Sequence, residues 1–574
     1  MDNTSELLQL RLWRPDAYSE DASQADRIAL SYERARSAAK HIGMTVQDIV
    51  TLSPKFWDYH RNFIGTADSA VVTILTIHWN LCIGTIASYA AGRPDLEPVL
   101  NELQNFEAVG EFMLTEVGHG LDARNIETTA TQLKDGSFDL HTPCMAASKS
   151  MPPATPYSNT PRIAVVFARL VVGGQQRGIR PFIVRLHDAT AMAPGVTSRL
   201  LPSRPGAKVV DHAITTFTHV RLDAFALLGD LDAPQNERNA FFDCIHRVTI
   251  GTLSLSFFHV PTLRVFAYVL GRYSQRRSVA ASESGKQRPI VSFSTQYTPV
   301  LTALTYASVF DAFAKATAAE FMEASSEHVR HALATIFKQT VTHTTKPLYA
   351  EMIERCGWQG LYNHNQLHEL MLAVQGNSIA EGDILVLCIR LVSEVLLGRY
   401  SLPEAKDPTS LLAQHELGIW KEAGEIAMTA ATRQGSNRNE EFNMMLLPRV
   451  RKLVLATGQR VAFEAAVASG TVMPEMLRLY EATCILDDPS WYVEKAGLAS
   501  ADLYRRHAEA VNKLRPSLEA LLQETGASPW VTAPILKDEG WIEFIQRLPT
   551  FHSEDKTSCW DKRAVGQDSN PSRL

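Results

Sequence analysis

Phe112-Met113-Leu114-Thr115-Glu116-Val117-Gly118-His119-Gly120, continued by Leu121-Asp122-Ala123-Arg124-Asn125-Ile126-Glu127-Thr128-Thr129-Ala130-Thr131, lies where helical periodicity gives way to strand periodicity. Its first part closes on a hydroxyl, a carboxylate and two glycines. Glycines at such a turn let a flat ligand approach the backbone, and the Thr115 hydroxyl can hydrogen-bond it. A glycine-rich junction also occurs simply as a turn. These residues alone leave both readings open.

Reading outward toward the N-terminus, residues 25–42 place apolar side chains at helical spacing, with Asp21 or Ser23 as the N-cap. Residues 70–91 form a long apolar helix or helix pair, and Pro94 ends it. In the other direction the period shortens. Asp135-Gly136 predicts a tight turn, 137–142 alternate, and 162–172 are β-branched and apolar. Glycines over 173–178 break that run, 179–186 resume it, and 213–222 alternate again. The stretch from about 112 to 230 therefore reads as a β domain, a small sandwich or barrel. Beyond 236 helical spacing returns, with long helices over 239–273 and 298–341, shorter ones over 346–356 and 384–398, a linker near 403–407 and four more helices to 524. The expected fold is mainly α with a central β domain. It divides into an N-terminal helical domain (1–110), the β domain (111–235), two helical bundles (236–402 and 403–550) and a tail (551–574).

Composition narrows the function. The chain has 574 residues, 45% hydrophobic and 21% charged, which excludes a disordered chain, a collagen or a coiled-coil rod. A nucleic-acid binder would cluster its basic residues; here 56 are spread along a chain of net charge −6, so no nucleic-acid partner is expected. No unbroken apolar run reaches the ~18–20 residues that span a bilayer, and the best, 384–398, carries Arg390 and Glu394 inside an amphipathic pattern. Residues 1–10 lack the apolar core of a secretory leader. Seven cysteines without a C-x-x-C pair read as reduced thiols of an intracellular compartment. Ser572-Arg573-Leu574 differs by one residue from S-K-L, the peroxisomal address, and predicts a peroxisomal matrix location with an import receptor as partner. His364 and His368 are four apart without the glutamate of H-E-x-x-H, so no metal is expected. A P-loop and a G-x-S-x-G elbow are also missing from the sequence.

The opening stretch resembles the peroxisomal acyl-CoA oxidases of the acyl-CoA dehydrogenase superfamily, which read T-E-L-G-H-G and, a few residues on, R-G-L-E-T-T-A-T. The family's order of helical domain, β domain and two helical bundles matches the order of periods above. Arg272-Tyr273-Ser274-Gln275-Arg276-Arg277 is similar to R-Y-S-x-x-R-R with one residue fewer, and Phe293-Ser294-Thr295-Gln296-Tyr297 to F-x-T-Q-Q-Y. Glu381-Gly382-Asp383 stands where the family has E-G-[DE]-N, whose glutamate is the catalytic base. The resemblance implies FAD as cofactor, an acyl-CoA substrate desaturated to a trans-2-enoyl-CoA, oxygen as acceptor and at least a homodimer. It implies Glu381 as the base, Thr115 and Gly118 against the flavin, and Arg276 or Arg277 at the flavin pyrophosphate across a subunit interface.

Desaturation shows why such residues are needed. The α-proton of a thioester is weakly acidic, so a carboxylate with a raised pKa must face it in a dry pocket. Donors must also hold the charge that develops on the thioester oxygen. From residue types alone, Glu381-Gly382-Asp383 reads as a helix start with Asp383 as its N-cap, which is compatible with the catalytic role that the resemblance implies. Three departures surround the expected pocket. Lys149-Ser150-Met151-Pro152-Pro153 replaces W-W-P-G-G, putting Pro153 in place of a flavin-contacting glycine. Cys356-Gly357-Trp358-Gln359-Gly360-Leu361 replaces C-G-G-H-G-Y, and Ile384 replaces the asparagine. They leave two alternatives open: a dehydrogenase with another acceptor in biosynthesis of a secondary metabolite, and a non-catalytic scaffold of the same fold.

Overall fold

The computed structural model describes residues 3–17, 21–280, 286–434 and 439–551. The first long helix, α1 (Gln24–Ile42), starts at Ser23, whose side chain accepts from the Asp26 amide; of the two expected caps, Ser23 serves. The next apolar stretch is one helix with an irregular middle. It runs through α2 (Ser69–Thr76), a π-helical segment (Ile77–Ile83) and α3 (Gly84–Ser88).

The β domain begins at β1 (Val109–Met113). β2 (Thr129–Gln132), β3 (Phe138–His141), β4 (Lys149–Pro153), β5 (Arg162–Val172), β6 (Gln175–His187), β7 (Val196–Leu200), β8 (His212–Phe217) and β9 (Val220–Leu222) follow. They build a six-stranded sheet in the order β1-β5-β2-β3-β9, with β6 on the other edge of β5, and a three-stranded sheet β4-β8-β7. β5 organises the larger sheet: β1 and β2 lie in line, both parallel to it, against successive halves of one edge. Both faces of β5 are buried. Ala164, Val166 and Ala168 point into the β domain's own core, while Ile163, Val165 and Phe167 join the main core under the helices. This two-sided burial explains its continuous apolar sequence. The break expected over 173–178 is only two residues long. Gly173 (φ +57) and Gly174 (φ +79) make the turn, and β6 restarts at Gln175.

The bundle also departs in detail from the expected long runs. Residues 239–273 fall into three helices, of which α4 (His246–Ser256) and α5 (His259–Arg276) are the longer. Residues 298–341 span two helices, α6 (Ser294–Glu323) and α7 (Glu327–Arg355), parted where Ser326 caps the second. α7 continues through Pro347 to include the separate helix expected over 346–356. α8 (Ile384–Leu396) follows, then longer helices at Leu411–Gln434, Val450–Ser469, Pro474–Asp487 and Ser500–Leu514. Two helical stretches are nonetheless long and apolar enough on average to cross a bilayer. Ser69–Ser88 and His246–Arg276 pass by length and mean hydropathy, because isolated polar residues such as Asn80 and Arg247 interrupt a run without lowering its average much. In the fold 83% and 89% of their most apolar windows are buried, so both are core helices.

A buried ionic cluster locks the N-terminal helices to the β domain. The Arg162 guanidinium donates to Glu111 Oε1 at 2.5 Å and to Tyr32 Oη at 2.7 Å, and lies 4.4 Å from the Tyr32 ring centroid. Tyr32 Oη donates to Asp211 Oδ1 at 2.7 Å, and the Thr155 amide and hydroxyl donate to Asp211 Oδ2. Burial pushes the Glu111 carboxyl up to about 8 despite Arg162. Arg162→Met would strand two carboxyls in the interior. We expect it to lose about 3–5 kcal/mol of unfolding free energy in urea, and Tyr32→Phe about 1 kcal/mol. A wild-type urea midpoint for Arg162→Met would show that the cluster locks nothing.

Candidate active site

Glu381 sits in the loop that enters α8. Asp383 is the N-cap of that helix, its Oδ1 accepting from the Leu385 and Val386 amides at 3.0 and 3.3 Å. The two residues before it are bent backwards. Glu381 has φ +51 and Gly382 φ +100. A glutamate in the left-handed region costs about 1–3 kcal/mol unless its surroundings impose it. Here they do. The Lys338 ammonium on α7 donates to the carbonyls of Ala380 and Gly382, each at 2.7 Å, and the Thr252 hydroxyl on α4 donates to the Glu381 carbonyl at 2.6 Å.

The turn points the Glu381 side chain inward onto α4. Gly251 leaves the room: a Cβ there would fall 1.2 Å from Glu381 Oε2. Asn80 Nδ2 donates to that oxygen at 3.3 Å and to the Arg247 carbonyl at 3.0 Å. Asn80 Oδ1 is buried without a hydrogen-bond partner. Arg247 is itself buried. Its Nε donates to the Asn80 carbonyl at 2.9 Å and its terminal nitrogens to the Ile49 carbonyl at 3.2 Å. Burial pushes the Glu381 carboxyl up to about 8, with Lys338, Asn80 and Arg247 pulling the other way. Burial also pulls Lys338 down to about 8 and Arg247 down to about 9. The result is one carboxyl poised near neutrality between two desolvated cations.

The π-helical segment joins this pocket to the β domain. His78 Nδ1 accepts from the Gly110 amide at 2.8 Å and its Nε2 meets the Leu103 carbonyl at 3.1 Å, which assigns the proton to Nε2. Burial keeps this imidazole neutral, pulling its pKa down to about 3. Gly110 on β1 packs so closely that a Cβ would lie 2.6 Å from Cys82. π-helical insertions occur frequently at functional sites. This one supports β1, which leads to Thr115, and also presents Asn80 to Glu381.

The other residues singled out from sequence form two groups away from Glu381. Thr115, Gly118 and Pro153 share the edge where β1 runs on beside β4. The Thr115 carbonyl accepts from the Ser150 amide at 3.0 Å, and the Gly118 amide donates to the Ala146 carbonyl at 2.7 Å. Glu116 is structural: its buried carboxylate binds the Glu127 and Thr128 amides and Lys149 Nζ, at 2.7, 3.0 and 2.9 Å. The Thr115 hydroxyl is half-buried and, among the described residues, makes no hydrogen bond. Across from it a bulge in β4 leaves Met151 exposed with φ +83. A free hydroxyl beside an apolar surface fits the ring of a flavin. Pro153 has no N–H to offer one. Arg276 lies elsewhere, at the end of α5, ion-paired with Asp538 and donating to the Ile535 carbonyl at 3.1 Å. Arg277 follows as the C-cap, where its amide donates to the Tyr273 carbonyl and its carbonyl accepts from the Ile290 amide.

Sequence reading singled out Glu381 and did not single out its neighbours Asn80, Arg247, Gly251 and Lys338. The available signal was a charged residue flanked by apolar ones within a helical stretch, as with Arg247 between Ile245 and Val248 and Lys338 after Ile336-Phe337. Such a residue has to find a buried partner. Two surface clefts, of about 510 and about 560 Å³, lie apart from Glu381, one beside Arg460 and Glu464 and the other beside Trp57 and Phe257.

Residues 258–396, which include Glu381 and Lys338, match the family model "Acyl-CoA oxidase, C-alpha1 domain". Peroxisomal acyl-coenzyme A oxidase 3 of Homo sapiens is 27% identical over 363 residues, 58% of this chain and 51% of its own. The chain thus spans about half the length of the curated relatives it matches. Among solved structures, acyl-CoA oxidase 1 of Yarrowia lipolytica superposes with a TM-score of 0.77 at 17% identity, covering 98% of this chain and 92% of that one. Acyl-CoA oxidase-1 of Caenorhabditis elegans, solved with FAD and ATP, superposes at 0.69 with 18% identity and 92% of each chain covered. These likenesses establish the fold.

The glycine under Glu381 can be tested directly. Alanine in a helix interior ordinarily stabilises by about 1 kcal/mol relative to glycine. Gly251→Ala should instead expel the carboxylate and return its titration toward the ordinary range, read as the pH dependence of the Glu381 carboxyl band in infrared spectra against Glu381→Gln. An unchanged titration would mean that the carboxylate does not rest on Gly251.

Proposed function

The chain is a divergent relative of the acyl-CoA oxidases, and from that premise we propose that it is a flavin-dependent enzyme desaturating a fatty acyl-CoA to the trans-2-enoyl-CoA. The observation that carries this reading is the Glu381 carboxyl turned inward onto Gly251 and held there by Asn80, where burial pushes it up to about 8. An ordinary surface glutamate would be too weak a base for an α-proton.

In this reading Glu381 takes the α-proton onto its carboxylate as the C=C bond forms. FAD, when bound, supplies the acceptor for the β-hydride and delivers the electron pair to oxygen as hydrogen peroxide. Thr115 would hold the flavin from the β-domain edge. Asn80 aims the carboxylate, and a thioester has to displace that contact to reach it. The positive charges of Lys338 and Arg247 favour the ionised base and oppose the penalty of burying it. Arg276, on releasing Asp538, or Arg277 would serve the flavin pyrophosphate of a neighbouring subunit in a homodimer. The peroxisomal names of relatives support a peroxisomal matrix location. The Ser572-Arg573-Leu574 address and its import receptor belong to the same reading, although those residues lie outside the described ones.

A second reading, a flavin-free scaffold of the same fold, draws on Pro153 and on the internal pairing of Arg276. Purified protein separates the two. We expect a yellow protein whose flavin band bleaches on anaerobic addition of acyl-CoAs, with peroxide formed once air is admitted. Glu381→Gln should bind the same acyl-CoAs and bleach at least 10³-fold more slowly, on the order expected for loss of a general base. The bleaching rate should rise with pH through a midpoint near 8, since only the ionised carboxyl is a base. Normal bleaching by Glu381→Gln would end the assignment, and protein that stays colourless with added FAD would favour the scaffold.

A further inference from the structure

Lys338 is 1% exposed and, among the described residues, forms no ion pair. A buried ammonium without a carboxylate partner is costly, so its place needs a reason. Its two bonds supply one: they go to the carbonyls immediately before and after Glu381, both at 2.7 Å. A donor placed in this way fixes the Ala380–Glu381 and Gly382–Asp383 peptide planes, which bracket the two left-handed residues Glu381 and Gly382. Thr252 pins the third carbonyl, that of Glu381 itself. The carbonyls of residues 380–382 are thus held from α7 and α4, while the Ile384 amide closes the loop on the Ser378 carbonyl and Asp383 caps α8.

We propose that Lys338 is a positioning residue. It imposes the backbone turn that aims Glu381 into the pocket, and its charge sets the carboxyl's ionisation. The proposal rests on the reading of Glu381 as the base and adds what places and tunes it. The groups facing the pair can be named from every side. Arg247 and the neutral Asn80 face Glu381 from α4 and the π-helical segment. Asp383 and Cys388 face Lys338 from the loop and α8. Lys346 on α7 donates to the Ser378 hydroxyl at the loop's other end, and His259 on α5 lies near both lysines. Lys338 alone among these cations bonds the Glu381 loop on both sides of the glutamate.

Three variants separate geometry from charge. Lys338→Met loses both, Lys338→Arg keeps the charge, and Thr252→Val loosens the loop without touching charge. Hydrogen–deuterium exchange of the 379–384 peptide reads the geometry. The Glu381 carboxyl band against pH, each variant referenced to its own Glu381→Gln partner, reads the ionisation without substrate. Lys338→Met should speed loop exchange at least tenfold and move the carboxyl midpoint up by about one pH unit. Lys338→Arg should leave the midpoint in place, and Thr252→Val should raise exchange while leaving it there too. The proposal is overturned if Lys338→Met changes neither readout, if Lys338→Arg shifts the midpoint as far as methionine does, or if Thr252→Val reproduces both methionine effects. Should Lys338→Met fail to fold, the arginine and valine variants still decide. Flavin bleaching by Glu381→Gln tests the base assignment separately, so an active Glu381→Gln alongside the expected midpoints removes the enzymatic reading and leaves the positioning intact.

Discussion

A carboxyl kept away from water is the constraint around which the bundle is arranged. Glu381 is half-buried with its carboxyl turned inward, and its neighbourhood answers with two cations that are themselves largely cut off from solvent. Neither cation touches the carboxylate. Arg247 spends its donors on backbone carbonyls of residues 49 and 80, and Lys338 spends its own on residues 380 and 382. Charges held a little apart in this way retain field strength without collapsing into an ion pair that would quench the base. The bonds of Arg247 tie α4 to the π-helical segment and to residue 49, and those of Lys338 tie α7 to the loop before α8, so electrostatics and architecture are here a single arrangement.

The π-helical segment links the β domain to this site. β5 buries one face inward and the other against the helices, and β1 rides along its edge. His78 then hands β1 to the segment that carries Asn80. The Arg162 cluster clamps the opposite side, joining α1 to β1, β5 and the chain near Asp211. Between these two joints the edge carrying Thr115 has little freedom to move relative to the bundle.

Much of this was legible from residues alone, for reasons that can be named. β5 announced itself because two-sided burial leaves an unbroken apolar run, and Ser23 and Asp383 because N-caps are local chemistry. Helix ends inside the long apolar runs were not legible. The breaks near Ile245 and Phe257 are set by packing and carry no glycine or proline. Glu381 was found through its neighbours in sequence, whereas Asn80, Gly251 and Lys338 reach it from 301, 130 and 43 positions away along the chain. No periodicity reports a contact of that kind. The arginine pair shows the converse: an attractive motif whose first member turned out to be held by Asp538 of its own chain.

The irregular turn at Ile77–Ile83 has a consequence for the helix that contains it. A π-helical insertion adds one residue without adding a turn, and each residue of an α-helix advances about 100° around the axis. Everything after the insertion is therefore rotated by that angle relative to everything before it. α2 can lay its stripe along α1 while the irregular turn and the residues that follow it offer a different stripe to β1 and to Arg247. A single-residue deletion there would straighten the rod, bring both stripes into phase, and leave one of the two neighbours facing the wrong side.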